Sequence, residues 1–135
     1  MRQLFEPDML VAGGRNLAPQ PAIYPDHPAP IVVRTGEGLR LDLAGWGLPT
    51  PQVYLAGKKT DRGVTNVQNP KSPHWRAWLG AQNRCLVPFE RFAEPVPGGN
   101  AWFRMKEDHP AFFAGIVVRD GTPSVLNLTF ATCSL

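Results

Sequence analysis

Proline and glycine interrupt this chain too often for a helical bundle. The 135 residues include 15 prolines and 13 glycines. Proline fixes φ and removes a backbone donor, whereas glycine admits positive φ, so both punctuate structure. The intervals between them are short and apolar, which suits short strands joined by turns. Hydrophobic residues make up 43% of the chain and charged residues 19%. That is enough for a real core and too apolar for a disordered chain. One domain spanning residues 1–135 is expected, of α+β or mostly β class.

The pattern along the chain gives six or seven strands. Residues 1–10 read as the tail of a helix with Leu4 and Phe5 inward, broken at Gly13-Gly14. Residues 16–30 are proline-rich and read as an extended surface segment rather than a central strand. Residues 31–35 and 39–48 read as a hairpin around Gly36-Glu37-Gly38, with Leu39, Leu41 and Leu43 alternating with Arg40 and Asp42. Residues 49–69 read as a loop made basic by Lys58, Lys59 and Arg62. Ser72-Pro73 has the form of a helix start, and Trp75, Trp78 and Leu79 follow at helical spacing until Gly80 stops the run. The expected role of both tryptophans is to pack that helix on the sheet. Strands are expected over 85–92, 101–106, 111–118 and 124–132, with turns at 97–100 and 120–121.

Charge and cysteine usage narrow the function classes only a little. The formal net charge is +3, which permits a nucleic-acid partner without requiring one. Cys85 and Cys133 are far apart and share no C-x-x-C or Cys/His spacing, so no zinc site is expected. His27, His74 and His109 have no common spacing either, and no cofactor is expected. The sequence shows neither a signal peptide nor an apolar run of spanning length, so a cytoplasmic, nucleoid-associated monomer is expected.

Three places offer chemistry. Glu94 follows an apolar run and is flanked by Phe92, Ala93 and Pro95. Apolar surroundings disfavour the charged form of a carboxyl group and make it a usable proton donor or acceptor. The competing reading is a solvent-exposed acid at a strand end. Asn66, in V-T-N-V-Q-N, carries an amide able to orient a substrate or stabilise developing charge, or simply to satisfy loop backbone. Trp46 lies between glycines in A-G-W-G-L-P, where something can approach the indole closely. It reads equally as a base-stacking platform or as a core tryptophan at a bend.

Several ordered motifs together resemble one family, the SOS response-associated peptidase domain, which includes a eukaryotic sensor of abasic sites. They are N-L-A-P-Q at 16–20, W-G-L-P at 46–49, T-N-V-Q-N at 65–69, R-C-L-V-P-F-E-R-F-A-E at 84–94, A-F-F-A-G-I at 111–116 and L-T-F-A-T at 128–132. The resemblance implies a compact α+β, mostly β domain around a curved, barrel-like antiparallel sheet with few short helices and a positively charged cleft. It implies an enzyme-class activity, self-cleavage that exposes an N-terminal cysteine. That cysteine captures the aldehyde of an abasic site in single-stranded DNA as a thiazolidine crosslink, part of the DNA damage response. No metal or membrane is involved.

By position, the resemblance makes Asn66 and Glu94 the catalytic pair, with Glu94 as general acid/base. Pro19, Gln20, Trp46, Gly47, Leu48, Thr65 and Gln68 become the DNA-contacting set. Gln68 stands where the family carries a phosphate-holding arginine, and Gly45 where an arginine often precedes the tryptophan. Arg2 stands where the family has its cysteine, and Cys133-Ser134-Leu135 does not continue toward the family's histidine. The expectation is therefore a domain shortened at both ends. The alternative to crosslinking is a catalytically dead fragment or a non-covalent single-stranded DNA-binding remnant.

Overall fold

The computed structural model describes residues 21–48, 50, 52–60, 63–67, 69–107, 111–119 and 126–131. The calls at 1–10, 16–20 (with Pro19 and Gln20), Gln68, His109, 120–121 and 132–135 lie outside the described residues.

The expected mostly β domain is found. Seven strands are described: β1 (Pro28–Thr35), β2 (Gly38–Trp46), β3 (Arg84–Phe89), β4 (Arg91–Val96), β5 (Gly99–Arg104), β6 (Ala111–Arg119) and β7 (Leu126–Ala131). Among the described residues, helix is limited to one turn, α1 (Gln52–Leu55), and two 3-10 segments, Pro73–Trp78 and Ala81–Asn83. Five strands pair in the order β1-β2-β7-β6-β3, and β3 returns to β1, so the pairing runs around a ring. The ring is not evenly laddered. β1–β2, β3–β6 and β6–β7 are long antiparallel ladders. In contrast, β1 meets β3 over two residue pairs, and β2 meets β7 over two pairs in parallel. The barrel-like antiparallel sheet expected from sequence is thus a mostly antiparallel ring with two thin seams.

The first correction concerns the prolines. Residues 28–30 belong to β1, with Ala29 and Pro30 buried, rather than to a surface segment. The β1–β3 pairing begins at Val32. Pro28 and Pro30 pair only with β2, so their missing N–H groups break no ladder to β3.

The core has two parts because the central strands bury both faces. Ala29, Ile31, Ala44, Cys85, Val87 and Val117 form one cluster. Leu48, Val67, Trp75, Ile116 and Val118 form the other, with Trp78 and Leu79 packed against it. Successive residues of β6 alternate between the two clusters, as a period of two requires. The expected tryptophan packing holds, but the helix is 3-10 and the Ser72 side chain makes no capping bond. The Ser72 carbonyl instead accepts from the Trp75 N–H at 3.2 Å.

A second correction concerns residues 85–92. They form not one strand but two, broken at Glu90, where the chain leaves the ring. Among the described residues, β4 then pairs only with β5, in a separate two-stranded sheet. Pro97-Gly98 turns this hairpin: proline presets φ, and Gly98 adopts φ 85. An isolated two-stranded hairpin is marginal in water and needs packing elsewhere. Phe92 supplies it. Its ring stacks on Phe103 at 5.3 Å and meets Phe113 and Phe89 edge-on at 5.2 and 5.5 Å. Phe89 in turn stacks on Phe113 at 4.1 Å.

Two predictions follow from this packing. Phe92→Ala should free the hairpin from the ring at a cost of about 2 kcal/mol, below that of a fully buried phenylalanine because Phe92 is half-buried. Hydrogen exchange should then speed up across β4 and β5 but not β6, and equal protection in the variant would refute the docking role. Burial also pushes the Cys85 thiol from its ordinary 9.0 up to about 12. The folded chain keeps a proton that the unfolded chain loses, so this contribution is full below pH 9 and is lost as pH rises from there toward 12. Cys85 should resist thiol reagents at pH 8 until denaturant is added, and stability should fall with pH above 9 by more than in Cys85→Ala.

Candidate functional site

Trp46 is the meeting point of four chain segments. It ends β2, and with Gly45 it makes the pairs to Asn127 and Leu128 that join β2 to β7. Its N–H donates to the His27 carbonyl at 3.0 Å, and its carbonyl accepts from the Asp26 N–H at 2.8 Å. Asp26 takes φ 65 to make that reach, a conformation aspartate tolerates better than most residues. The indole N–H donates to the Thr65 carbonyl at 3.3 Å. The half-buried ring is thus fixed at both its backbone and its edge, which favours the junction reading of Trp46 over a freely presented platform.

The next two residues tie the same corner to 63–66. Leu48 and Val64 exchange backbone bonds, Leu48 N–H to Val64 O at 2.9 Å and Val64 N–H to Leu48 O at 2.7 Å. The close approach that the glycines allow is made by backbone, not by a ligand. A Cβ on Gly63 would lie 3.4 Å from both the Gly47 Cα and the Leu48 oxygen, and Gly63 has φ 76. Leu48 itself is 1% exposed. Its contribution to any site is to hold the corner on the second core cluster.

Of the residues assigned from sequence, the fold therefore brings together Trp46, Gly47, Leu48, Thr65 and Asn66, with Asn66 half-buried beside Thr65. Pro19, Gln20 and Gln68 lie outside the described residues. Glu94 is not drawn into this corner by any described contact. It sits mid-strand on β4, opposite Ala101, and is solvent-exposed. The enclosed acid expected from its apolar neighbours is not found. Alternation puts Phe92, Glu94 and Val96 on one face, and only Phe92 of the three packs inward.

A cleft of about 600 Å³ lies elsewhere, at the turn end of β1 and β2, and is lined by Arg34, Arg40, Arg84, Trp78 and Asn83 among others. None of the residues assigned from sequence lines it. Among the described residues, two of its three arginines have partners, although the Arg40 Nε is buried without a hydrogen bond. Arg40 lies 3.4 Å from the Asp42 carboxylate, and the Arg84 guanidinium donates to the Leu79 carbonyl. Asn83 donates to the Val117 carbonyl at 2.8 Å, tying the second 3-10 segment to β6. Among the described residues, no group of three or more His, Cys, Asp or Glu could hold a metal ion. No described helix is long and apolar enough to cross a membrane.

Sequence reasoning missed one group of exposed side chains, Arg91, Trp102 and Arg104 on the β4–β5 hairpin. The signal was present in the alternation and in Pro97-Gly98, but the strand break at Glu90 had to be known before the register could be read.

No protein-family model matches this chain, and comparison with curated proteins brings up no match. The class defined by fold and corner is thus a mostly β domain whose Trp46–Asn66 junction joins two motifs distant in sequence.

Gly63→Ala tests that junction. Positive φ and crowding against Gly47 and Leu48 should lower stability by about 1–2 kcal/mol, read as a lower urea midpoint. Gly36→Ala, in an open turn with nothing within 4 Å of a Cβ, should change it far less. Equal effects would remove the argument for a close approach.

Proposed function

We propose that this chain is a domain of the SOS response-associated peptidase type that senses abasic sites in single-stranded DNA. The observation that supports this most is the convergence of W-G-L (46–48) with T-N (65–66), held by the Leu48–Val64 exchange and the Trp46–Thr65 bond. Two motifs of the resemblance, separated by an intervening loop, meet at one corner with a half-buried amide beside them. Asn66 offers two donors and an acceptor to an opened sugar. The flank of Trp46 offers an apolar wall where a base is missing. The net charge of +3 suits a polyanion.

Covalent thiazolidine capture is the proposed activity of this lineage, after self-cleavage exposes its cysteine. It requires a free α-amine beside a thiol, because the amine forms the Schiff base and the thiolate closes the ring. Cys85 does not meet that need. It is internal, 6% exposed, and its thiol is pushed up to about 12 by burial. The step served by the residues described here is recognition of the damaged strand, and non-covalent binding is the second reading for that reason. Glu94 is proposed as the proton-transfer group on the strength of the resemblance. From an exposed hairpin, it would reach the corner only across the surface.

One experiment separates these readings. The chain is mixed with a single-stranded oligonucleotide carrying one abasic site, and the products are run on native and denaturing gels beside an intact oligonucleotide. Covalent capture predicts a band that survives denaturation. Recognition alone predicts preferential retention of the abasic strand on the native gel only. Asn66→Ala should weaken either signal by about tenfold, the scale of one lost hydrogen bond, and Glu94→Ala should slow only the covalent one. If the abasic and intact strands behave alike on both gels, the proposal fails.

A further inference from the structure

We infer that the outer face of the β4–β5 hairpin is a binding surface for single-stranded nucleic acid, with Trp102 stacking a base and Arg91 and Arg104 holding its phosphate backbone. This goes beyond the proposed lesion sensing and does not depend on it, because the ligand needs no abasic site.

The register places these side chains together. Arg91 lies directly opposite Arg104, and Ala93 opposite Trp102. Arg91, Ala93, Pro95, Asn100, Trp102 and Arg104 therefore share one face, all of them exposed except for what they share with one another. Glu94 is on the other face. The Arg91 guanidinium carbon stands 4.9 Å from the centre of the Trp102 ring.

Two features call for an anionic occupant. Like charges directly opposite each other on one sheet face repel, because their Cβ atoms are only about 5 Å apart. Among the described residues, neither Arg91 nor Arg104 has a carboxylate within 4 Å to relieve this. A phosphate between two guanidinium forks removes the repulsion and accepts hydrogen bonds from both. The second feature is the indole. Trp102 is 62% exposed although it is among the largest apolar side chains in the chain. Charges on edge strands guard against unwanted pairing, but that role does not account for an exposed tryptophan two residues along the same face. An aromatic ring flanked by guanidinium groups is the arrangement that stacks unpaired bases while holding their backbone. A rise of about 3.3 Å per residue sets Trp102 about 6.6 Å from Arg104 along the strand, so one nucleotide can use both. Duplex DNA hides its base faces, and an acidic peptide has none, so single strands fit this face best.

The test uses the full chain and fluorescently labelled oligothymidine and oligouridine, neither with an abasic site, in anisotropy titrations at several salt concentrations. Binding to either supports the inference, and the tighter one identifies the sugar preferred. The R91A/R104A double variant should flatten the log–log salt dependence by about 1. Trp102→Ala should weaken binding by about tenfold with little change in that slope, and Trp102→Phe should restore most of it. Arg34→Ala, on the β1–β2 hairpin, should bind as the unaltered chain does. The inference is overturned if the unaltered chain binds neither oligonucleotide, or if the hairpin variants, folded by circular dichroism, bind as it does. It is equally overturned if polyglutamate of matched charge competes as well as the oligonucleotide, because the face would then be indifferent to bases. Abasic-strand capture that persists in the hairpin variants leaves the proposed function standing while this inference falls. Loss of all abasic selectivity with intact oligothymidine binding does the reverse.

Discussion

The ring of strands closes through short contacts, and the candidate corner rests on one of them, the parallel seam between β2 and β7. Two residue pairs make it, Gly45 with Asn127 and Trp46 with Leu128. So few backbone bonds cannot hold a seam unless the residues that make them are fixed from other directions. Trp46 is fixed by bonds from Asp26, to His27 and to Thr65. Leu48, two residues later, is sunk in the second core cluster and bonded to Val64. The candidate site grows from this closure, because the same bonds that hold the seam bring residues 63–66 against the end of β2.

The hairpin β4–β5 obeys a different logic. It has left the ring and, among the described residues, is attached to it by the aromatic contacts of Phe92. With one face turned to solvent, its exposed residues are not needed for the core. That freedom permits Trp102 and two opposed arginines to stay in water, at a cost in repulsion that a folded ring strand would not tolerate. The molecule thus separates a corner shaped by closure from a surface shaped by charge. The cleft lined by Arg34, Arg40 and Arg84 belongs to neither; Arg40 lies against Asp42, and Arg84 donates to the Leu79 carbonyl.

Much of the fold was legible in the chain. The turn at 36–37, the strand alternation in β2, the packing of Trp75 and Trp78, and the turn at Pro97-Gly98 all follow from short-range chemistry. The failures were equally physical. Ala29 and Pro30 read as surface because proline cannot donate, but Pro30 lies before the β1–β3 pairing begins, so its missing N–H breaks no ladder there. Residues 85–92 read as one strand because apolar content continues past Glu90, and nothing local marks a change of sheet. Glu94 read as enclosed because its sequence neighbours are apolar, but neighbours in a strand point to opposite faces.

The sequence alone determined the class of this protein, the places where it turns, and the residue types available for chemistry. These depend on φ preferences and on patterns a few residues long. Only the tertiary structure decided which residues meet: Trp46 with Thr65, Gly47 with Gly63, Arg91 with Arg104. Those meetings depend on register and on closure between distant segments, and register is set by how the whole sheet packs, a condition that no local stretch of sequence contains.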